Sequence, residues 1–556
     1  MRRAHLLNLT LWAANAVALT LLVNVASQFF FFRWDVTDEQ RHSLKPSTRA
    51  VLESLREPVF IEVFLEGDLN AGFTRLQKAV RETLGEFQVY SNRRVRFVFT
   101  DPLQAPSRPA RSEFMSAIAG YGIQPVNIVE NKGGQRVERL AFPGATVTLG
   151  GRVAGVNLLK GNRALSSQEV LNQSAEIIEY ELISAIYQLA NQHPKKILWL
   201  TGHGQPEGLP VAGITRALEK SYVLETFDVR QPVALPPADV LVVCKPTRTL
   251  DEPAVFKIDQ FVMQGGKVLW LLDRTTANMD SARRPNYFAL PFESGLESAL
   301  FRYGVRINPD LVQDRFAAMQ PIVTGVVNGK PQMQPMPWPF FPLVNHFADH
   351  PATRNLDAVY TRFISSVDTV RAPGVKKTAM FFSSPYAKRT GTPAPVHGNL
   401  HRNAATDSTF RHGPIALAWL LEGTFTSAFA NRFAPDDVNM PVQQRSAPTR
   451  MIVVGDGDWV LNEVRAGEPQ PTGKDPHADY LFANEELALN LVAFLADEEG
   501  LIQARNKQVR WRPLNTVKVK AERLSWQLLN VAGPVALLAL FGWAYHLWRK
   551  KRYASF

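Results

Sequence analysis

Lys196-Ile197-Leu198-Trp199-Leu200-Thr201, followed at once by Gly202-His203-Gly204-Gln205-Pro206-Glu207-Gly208, is the stretch that decides the fold. An apolar run without polar alternation marks a strand buried on both faces, and a glycine-rich turn ends it. Downstream the same grammar repeats: a helix over 212–220, strands over 223–229 and 240–244, a helix over 253–264 and a strand over 267–273. Apolar strands separated by helices imply a parallel sheet covered on both faces. Met451-Ile452-Val453-Val454-Gly455 reads as a returning core strand and 484–496 as its closing helix. Between them the rhythm breaks: residues 333–342 hold four prolines, a helix is expected near 296–303, and strands near 378–382 and 415–425. Residues 275–445 therefore read as an insertion in a domain spanning 194–504.

Upstream, residues 33–193 give strand, helix, strand, helix, hairpin, helix, with turns at Asn131-Lys132-Gly133-Gly134 and Gly150-Gly151. That is the order of a thioredoxin-like α/β domain. The single cysteine, Cys244, excludes both a Cys-x-x-Cys pair and an intramolecular disulfide, so redox chemistry is not expected. Cys244 lacks the glycine-flanked elbow of an exposed nucleophile and reads as a core residue.

The chain carries 62 Lys+Arg against 51 Asp+Glu, a formal net charge of +11. Six of those charges sit at the two ends (Arg2, Arg3, Arg549, Lys550, Lys551, Arg552), and a net six more lie between Arg505 and Arg523. Subtracting both from 11 leaves −1 for residues 4–504, so the body is neutral and nucleic acid is not the expected partner. The positive clusters flank the two most hydrophobic stretches. Residues 6–32 contain no charge over 27 positions, where about 20 suffice to span a bilayer. A cleaved signal peptide is the alternative, but Phe29-Phe30-Phe31-Phe32 continues past the small-residue site Val25-Ala26-Ser27. Residues 526–548 form the second expected span, with Trp526 at one end and Trp543, Tyr545 and Trp548 at the other. Asn8 and Asn15 share one face of the first span, Asn530 lies in the second, and Pro534 should kink it; these four mark helix-packing positions, with headgroup contact the alternative for Asn8 and Asn530. The basic segment 505–525 is expected along lipid headgroups through Arg510, Trp511, Arg512, Lys518 and Lys520. Two spans with short basic ends place both termini in the cytoplasm of a bacterium and the main body in the periplasm, anchored in the inner membrane.

Ligands of open parallel sheets bind outside the carboxyl ends of the strands. This sequence puts His203 and Glu207 after one strand, Asp273 after another, and Asp456 and Asp458 after a third. If those strands are neighbours, an imidazole and several carboxylates converge, able to bind a cation, a polyol or a sugar, or to move protons. The competing reading makes them turn formers and helix caps. His346 and His350 have the i, i+4 spacing of a zinc pair but lack a third ligand, so no metal is expected. No phosphate-binding Gly-x4-Gly-Lys-Ser/Thr is present, no cofactor is called for, and any ATP hydrolysis belongs to a partner.

Several short motifs, in order, resemble the gliding-motility GldG family of ABC-transporter auxiliary proteins. They are Trp34-Asp35-Val36-Thr37, Ser43-Leu44-Lys45-Pro46, Glu57-Pro58-Val59, Leu65-Glu66-Gly67-Asp68, Leu200-Thr201-Gly202-His203-Gly204, Leu421-Glu422-Gly423-Thr424-Phe425-Thr426-Ser427-Ala428-Phe429, Gly455-Asp456-Gly457-Asp458 and Arg510-Trp511-Arg512-Pro513-Leu514-Asn515. The resemblance covers essentially the whole chain. It implies a membrane-tethered periplasmic subunit working with an ABC permease and a separate cytoplasmic ATPase, in a complex that can hold two copies of it. It also implies that 194–504 is similar to the class I glutamine-amidotransferase-like (flavodoxin-type) fold, shared with an intraflagellar-transport protein. The Cys–His–Glu triad of the amidotransferases has no counterpart here, so the resemblance implies no enzyme activity. The expected function is a non-enzymatic auxiliary subunit that binds cargo or couples mechanically across the envelope. The alternatives are a membrane-anchored glycan-binding or hydrolytic protein using the strand-end crevice, and an envelope scaffold.

Overall fold

The computed structural model describes residues 2–29, 43–104, 106–132, 135–161, 166–191, 194–282, 284, 286–327, 330–396, 408–435, 440–478, 480–506 and 516–553. They divide into two compact units, Met1–Gln508 and Val509–Phe556. The fold is mixed α/β.

In the first unit, strands β1 (Val59–Val63), β2 (Val95–Phe99), β3 (Gly144–Leu149) and β4 (Arg152–Asn157) form a sheet in the order β2-β1-β3-β4. Val59, Ile61 and Val63 point into a core while Phe60 points out, the period of two expected of a sheet covered on one face. That core is completed by Leu76, Val80 and Leu84 of the helix Ala71–Tyr90 and by Ile178, Leu182 and Ile186 of the helix Ser167–Ala190. Asn70 caps the first helix through its side chain, and Ser166 with Glu169 forms a capping box on the second.

The larger sheet has eight strands: β5 (Lys196–Thr201), β6 (Val223–Asp228), β7 (Val240–Cys244), β8 (Lys267–Leu271), β9 (His346–Phe347), β10 (Val375–Phe382), β11 (Ala416–Gly423) and β12 (Thr449–Val454). Their order is β9-β10-β11-β12-β8-β7-β5-β6. The five strands from β12 to β6 are parallel, and β11, β10 and β9 continue the sheet antiparallel. All five residues of β7 are buried, as are four of the five in β8. One face packs on the helix Glu252–Met263 and the other on Ala212–Glu219 and Asn484–Ala496.

This sheet corrects the purely parallel expectation. Residues 275–445, read as an insertion in this domain, supply three strands that extend the sheet beyond β12. The proline-rich stretch breaks the βα rhythm but is regular in itself. It forms the strand Lys330–Val344, paired with Ala317–Val327. Pro335, Pro337 and Pro339 recur with the strand's own period of two, so their missing N–H groups fall on one edge; Pro335 stands opposite Pro321, a pair that neither side could hydrogen-bond.

The second unit is one helix, Thr516–Tyr553, running through Pro534 without interruption. Its stretch Ala521–Arg552 is the one helix among the described residues long and apolar enough to cross a membrane. The juxtamembrane piece and the span expected as separate segments are thus continuous from Thr516. Asn530, Pro534 and Lys518 are exposed on this helix. At the other end of the chain, Arg2–Phe29 is helical, with a shorter apolar stretch, Thr10–Leu22, on which Asn15 is exposed. Arg510, Trp511 and Arg512, and the side chains of Asn8 and Lys520, lie outside the described residues.

Arg505 overturns one expectation. It belongs to the basic stretch assigned to lipid headgroups, yet it is fully buried. Its guanidinium donates to Asn490 Oδ1 at 2.6 Å and to the Arg354 carbonyl at 3.1 Å, and lies over the Tyr180 ring at 5.2 Å. It therefore ties the 3-10 turn Leu501–Asn506 to the helices Ser167–Ala190 and Asn484–Ala496.

Candidate functional site

The parallel strands reverse their order about β5: β6 lies on one side and β7, β8 and β12 on the other. The crevice of an open α/β sheet lies at that reversal, outside the carboxyl ends of β5 and β7. Here two loops close it. The His203 carbonyl accepts from the amides of Thr247 at 3.1 Å and Arg248 at 3.0 Å, and the Thr247 hydroxyl donates to the Gly204 carbonyl at 2.9 Å. Gly204 has φ +72°, and a Cβ there would meet Thr247 Oγ1 at 2.2 Å, so glycine is required on both counts.

His203 is buried in this knot. Its Nε2 is 3.9 Å from Asp251 Oδ1, and its Nδ1 has no hydrogen-bond partner among the described residues. Burial pushes the imidazole's pKa down, against the pull of Asp251. Asp251 also caps the helix Glu252–Met263 through a 2.9 Å bond from Ala254 N. Glu207 is exposed in the following turn.

Asp273, Asp456 and Asp458 do converge, because β8 and β12 are neighbours: their carboxylate oxygens lie within 4.8 Å of one another, the spacing of a metal-holding group. His203 does not belong to that group, since β7 intervenes and its next residue, Lys245, enters the space. The Lys245 ammonium contacts Asp273 Oδ2 and Asp458 Oδ2, each at 2.6 Å. Lys245 reaches this position from a left-handed backbone, φ +44°, with its amide bonded to the Leu271 carbonyl at 2.7 Å. Burial alone would lower the lysine's pKa, but the two carboxylates outweigh it and hold it above its ordinary value.

Backbone donors hold the acids. Gly457 N donates to Asp273 Oδ1 at 2.6 Å, Asp458 N to Asp456 Oδ1 at 2.6 Å, and Arg362 N to Asp456 Oδ2 at 2.9 Å. Asp456 is fully buried, and burial together with Asp458 and Asp273 raises its pKa well above the carboxylate range. Gly457 packs so closely that a Cβ would lie 2.6 Å from Lys245 Cβ. Beyond Asp458, Arg362 pairs with Glu463 at 2.6 Å and stacks over Tyr360 at 4.9 Å. The Asp-Gly-Asp sequence that looked like a ligand set thus surrounds a cation the chain supplies itself. The carboxylates fit a metal by spacing, and Lys245 stands where one would bind.

Two further residues are placed by the structure. Cys244 is buried directly before Lys245, and burial raises its thiol pKa. His350 packs edge-on against Phe494 at 4.6 Å, with Nδ1 accepting from Ala352 N at 3.2 Å. Sequence reasoning missed Lys245 and Arg362. Lys245 had a signal, being the one charge immediately after an all-apolar strand, but nothing local in the sequence points to Arg362.

No curated protein matches the chain. Among solved structures, the mmIFT52 N-terminal domain is similar at 10% identity and TM-score 0.32, over 54% of this chain and 97% of that one. A crystal structure titled as thua-like, from Parabacteroides merdae, is similar at 13% identity and TM-score 0.26, over 58% of this chain and 94% of that one. At such TM-scores neither likeness bears on the fold or the function. Residues 38–148 match a domain of unknown function (DUF7088). Residues 194–491, more than half of the chain and the part that carries the large sheet and the carboxylate cluster, match the family described as an ABC-type uncharacterized transport system. The chain belongs to that family of ABC-transport auxiliary proteins.

Proposed function

We propose that this protein is a non-enzymatic, membrane-tethered subunit of a GldG-like ABC system, pairing with a permease and a separate ATPase. One observation carries the reading: the strand-end crevice is occupied by the chain itself, through the loop bonds at His203 and the Lys245 ammonium between Asp273 and Asp458. A site built to turn over a substrate keeps such a position open. The apolar helix Ala521–Arg552 supports the tether. In this proposal both termini are cytoplasmic and the body is periplasmic. Residues 33–193 form a thioredoxin-like domain and 194–504 an amidotransferase-like one, and Asn8, Asn15, Asn530 and Pro534 pack against permease helices. Purification of the full chain in a mild detergent, with mass spectrometry of what comes with it, tests the assembly. A permease and an ATPase are expected, and Asn15→Leu combined with neutralising Arg549–Arg552 should deplete both; their absence from the wild-type preparation would sink the proposal.

A second reading is favoured by the buried Nδ1 of His203, which has no hydrogen-bond partner among the described residues at the sheet's switch point. In it, His203, Glu207, Asp273, Asp456 and Asp458 serve a glycan ligand or a hydrolysis. His203→Ala decides: preserved cellular function with a folded protein counts against this reading.

A further inference from the structure

The four-stranded sheet ends in an open strand. In its order β2-β1-β3-β4, β2 has a neighbour on one side only among the described residues. The opposite edge is approached closely, since a Cβ on Gly155 of β4 would overlap the Tyr121 carbonyl. β2 pairs with β1 in one continuous parallel register, from Val59 with Val95 to Val63 with Phe99. It contains no proline and no bulge, two of the devices that keep an edge from pairing with another chain.

In a parallel pair, alternate residues of a strand turn their backbone groups to the neighbour and the others turn away. The Val59 amide donates to the Arg94 carbonyl at 3.0 Å, and the Thr100 amide to the Val63 carbonyl at 2.9 Å. Arg94, Arg96, Val98 and Thr100 therefore face β1 through their backbone, and Val95, Phe97 and Phe99 face outward. The Val95 amide is already used on that side, donating to Ser91 Oγ at 3.0 Å. The amides of Phe97 and Phe99 and the carbonyls of Val95 and Phe97 are the groups that an added strand would meet.

The side chains select that strand. A second copy of β2, antiparallel and centred on Phe97, sets Arg96 opposite Val98 of the second copy and brings Arg93 level with its Asp101. Arg93 and Arg96 are exposed, Val98 is 40% exposed, and Asp101 is half-buried. Glu62 stands beside Val98 on β1, so the Arg96 side chain, lying across Val98 of the second copy, extends towards that copy's Glu62, two strand spacings or about 10 Å away. Each copy thus offers cations at one end of the strand and carboxylates at the other, and the two-fold arrangement matches them twice. Centring on Val95 would instead oppose Arg94 and Arg96, which repel. Centring on Phe99 would set Asp101 opposite Phe97 and leave Arg93 unmatched.

We propose that β2 is a self-association edge: two copies of this chain join β2 to β2, antiparallel about Phe97, and so make one continuous eight-stranded sheet from two of four strands. Four backbone bonds close it. The two Phe97 residues exchange a pair, and each Phe99 amide donates to the Val95 carbonyl across the axis. The proposal rests on neither the strand-end crevice nor the tether.

The test uses the full chain in a mild detergent. The native Cys244 is buried, so introduced thiols are read alone. Positions 96 and 98 face each other across the axis as a non-hydrogen-bonded pair, with Cα atoms about 4.5 Å apart, within disulfide reach. An equal mixture of Arg96→Cys and Val98→Cys should cross-link under mild oxidation. Each variant alone should cross-link far less, because its two thiols sit on a diagonal of about 7–8 Å. Val98→Lys sets a cation opposite Arg96 twice per dimer and should weaken self-association about tenfold in low-salt analytical ultracentrifugation; Val98→Glu should strengthen it. Within one chain the neighbour of position 98 is Glu62, so these substitutions act on the fold with the opposite signs, and a loss of folding cannot imitate the expected result. No cross-link in the mixture overturns the proposal, including when the protein is dimeric through another surface. So does self-association that responds equally to Val98→Lys and Val98→Glu.

Discussion

The Lys245 ammonium lies 2.6 Å from Asp458 Oδ2 and so joins the end of β7 to the turn after β12, across the intervening β8. It contacts Asp273 at the end of β8 at the same distance. One side chain thus ties together the carboxyl ends of three strands. Lys245→Met would leave three carboxylates within 4.8 Å of one another without a cation. Removing one partner of a buried ionic group costs about 3–5 kcal/mol, which chemical unfolding would read directly. Adding Asp458→Asn should recover part of that loss. Unchanged stability in the single variant would show that the cluster does not hold the strands.

The same cluster sets a pH dependence. Burial raises Asp273, and burial with its acidic neighbours raises Asp456, above their unfolded values. The native state therefore binds more protons than the unfolded one between the unfolded and folded pKa values, and stability falls as pH rises through that window. In Lys245→Met the window should widen upward. The urea midpoint at pH 5 should then exceed that at pH 8 by more than in the wild type, and an equal difference in the two proteins contradicts the assignment.

His350 gives the opposite sign. Burial against Phe494 depresses its pKa to about 4, below the unfolded value of 6.5, in spite of Glu422. The unfolded chain takes up the proton first, so this contribution is complete above 6.5 and is lost as pH falls towards 4. His350→Gln should flatten the stability profile there by at most about 1.4 kcal/mol per pH unit. Thermal melting at half-unit steps checks it, and an unchanged slope removes His350 as the cause.

Asp259 accounts for a motif. The Leu421–Phe429 stretch contains Ser427 and Ala428, whose hydroxyl and amide donate to Asp259 at 2.6 and 2.8 Å, while the Tyr303 hydroxyl donates at 2.7 Å. Ser427→Ala should cost about 1.5–3 kcal/mol, the range for a hydrogen bond to a charged group. Asp259→Leu should cost more, because it leaves Tyr303 and Ser427 unpaired as well. Chemical denaturation of both variants tests the ranking; a milder loss in Asp259→Leu reverses it.

Arg505→Met should weaken the junction of the two sheets' helices. Its buried bonds to Asn490 and the Arg354 carbonyl disappear, at a cost of about 3–5 kcal/mol. Calorimetry should then resolve two melting steps where a single one is expected of the wild type, and a single step at the wild-type temperature would assign Arg505 a local role.

How much of this was legible depended on whether the signal was local. The strands Lys196–Thr201, Val240–Cys244 and Lys267–Leu271 lie where apolar runs placed them, because burial on both faces leaves no room for polar residues. Asp273, Asp456 and Asp458 met as foreseen, since strand-end positions follow from strand assignment alone. The separation of His203 from them was not legible, because it depends on β7 lying between β5 and β8, and strand order is not written in any segment. The strand Lys330–Val344 was masked by prolines that fit only an edge whose position the sequence does not reveal. Arg505 misled for a related reason: a basic residue in a basic run looks solvated until Asn490, 15 residues back, and Tyr180, far earlier in the chain, are seen around it.

That fastening has a mechanical meaning. Arg505 sits in the turn Leu501–Asn506, the last part of the larger unit that the structure describes, and a chain end without such contacts frays under tension one residue at a time. A planar guanidinium gripped by an amide, a carbonyl and an aromatic ring must instead slide past all three together. A pull on the turn Leu501–Asn506 would therefore be borne by the helices Ser167–Ala190 and Asn484–Ala496 together, which makes Arg505 a clasp rather than a surface charge.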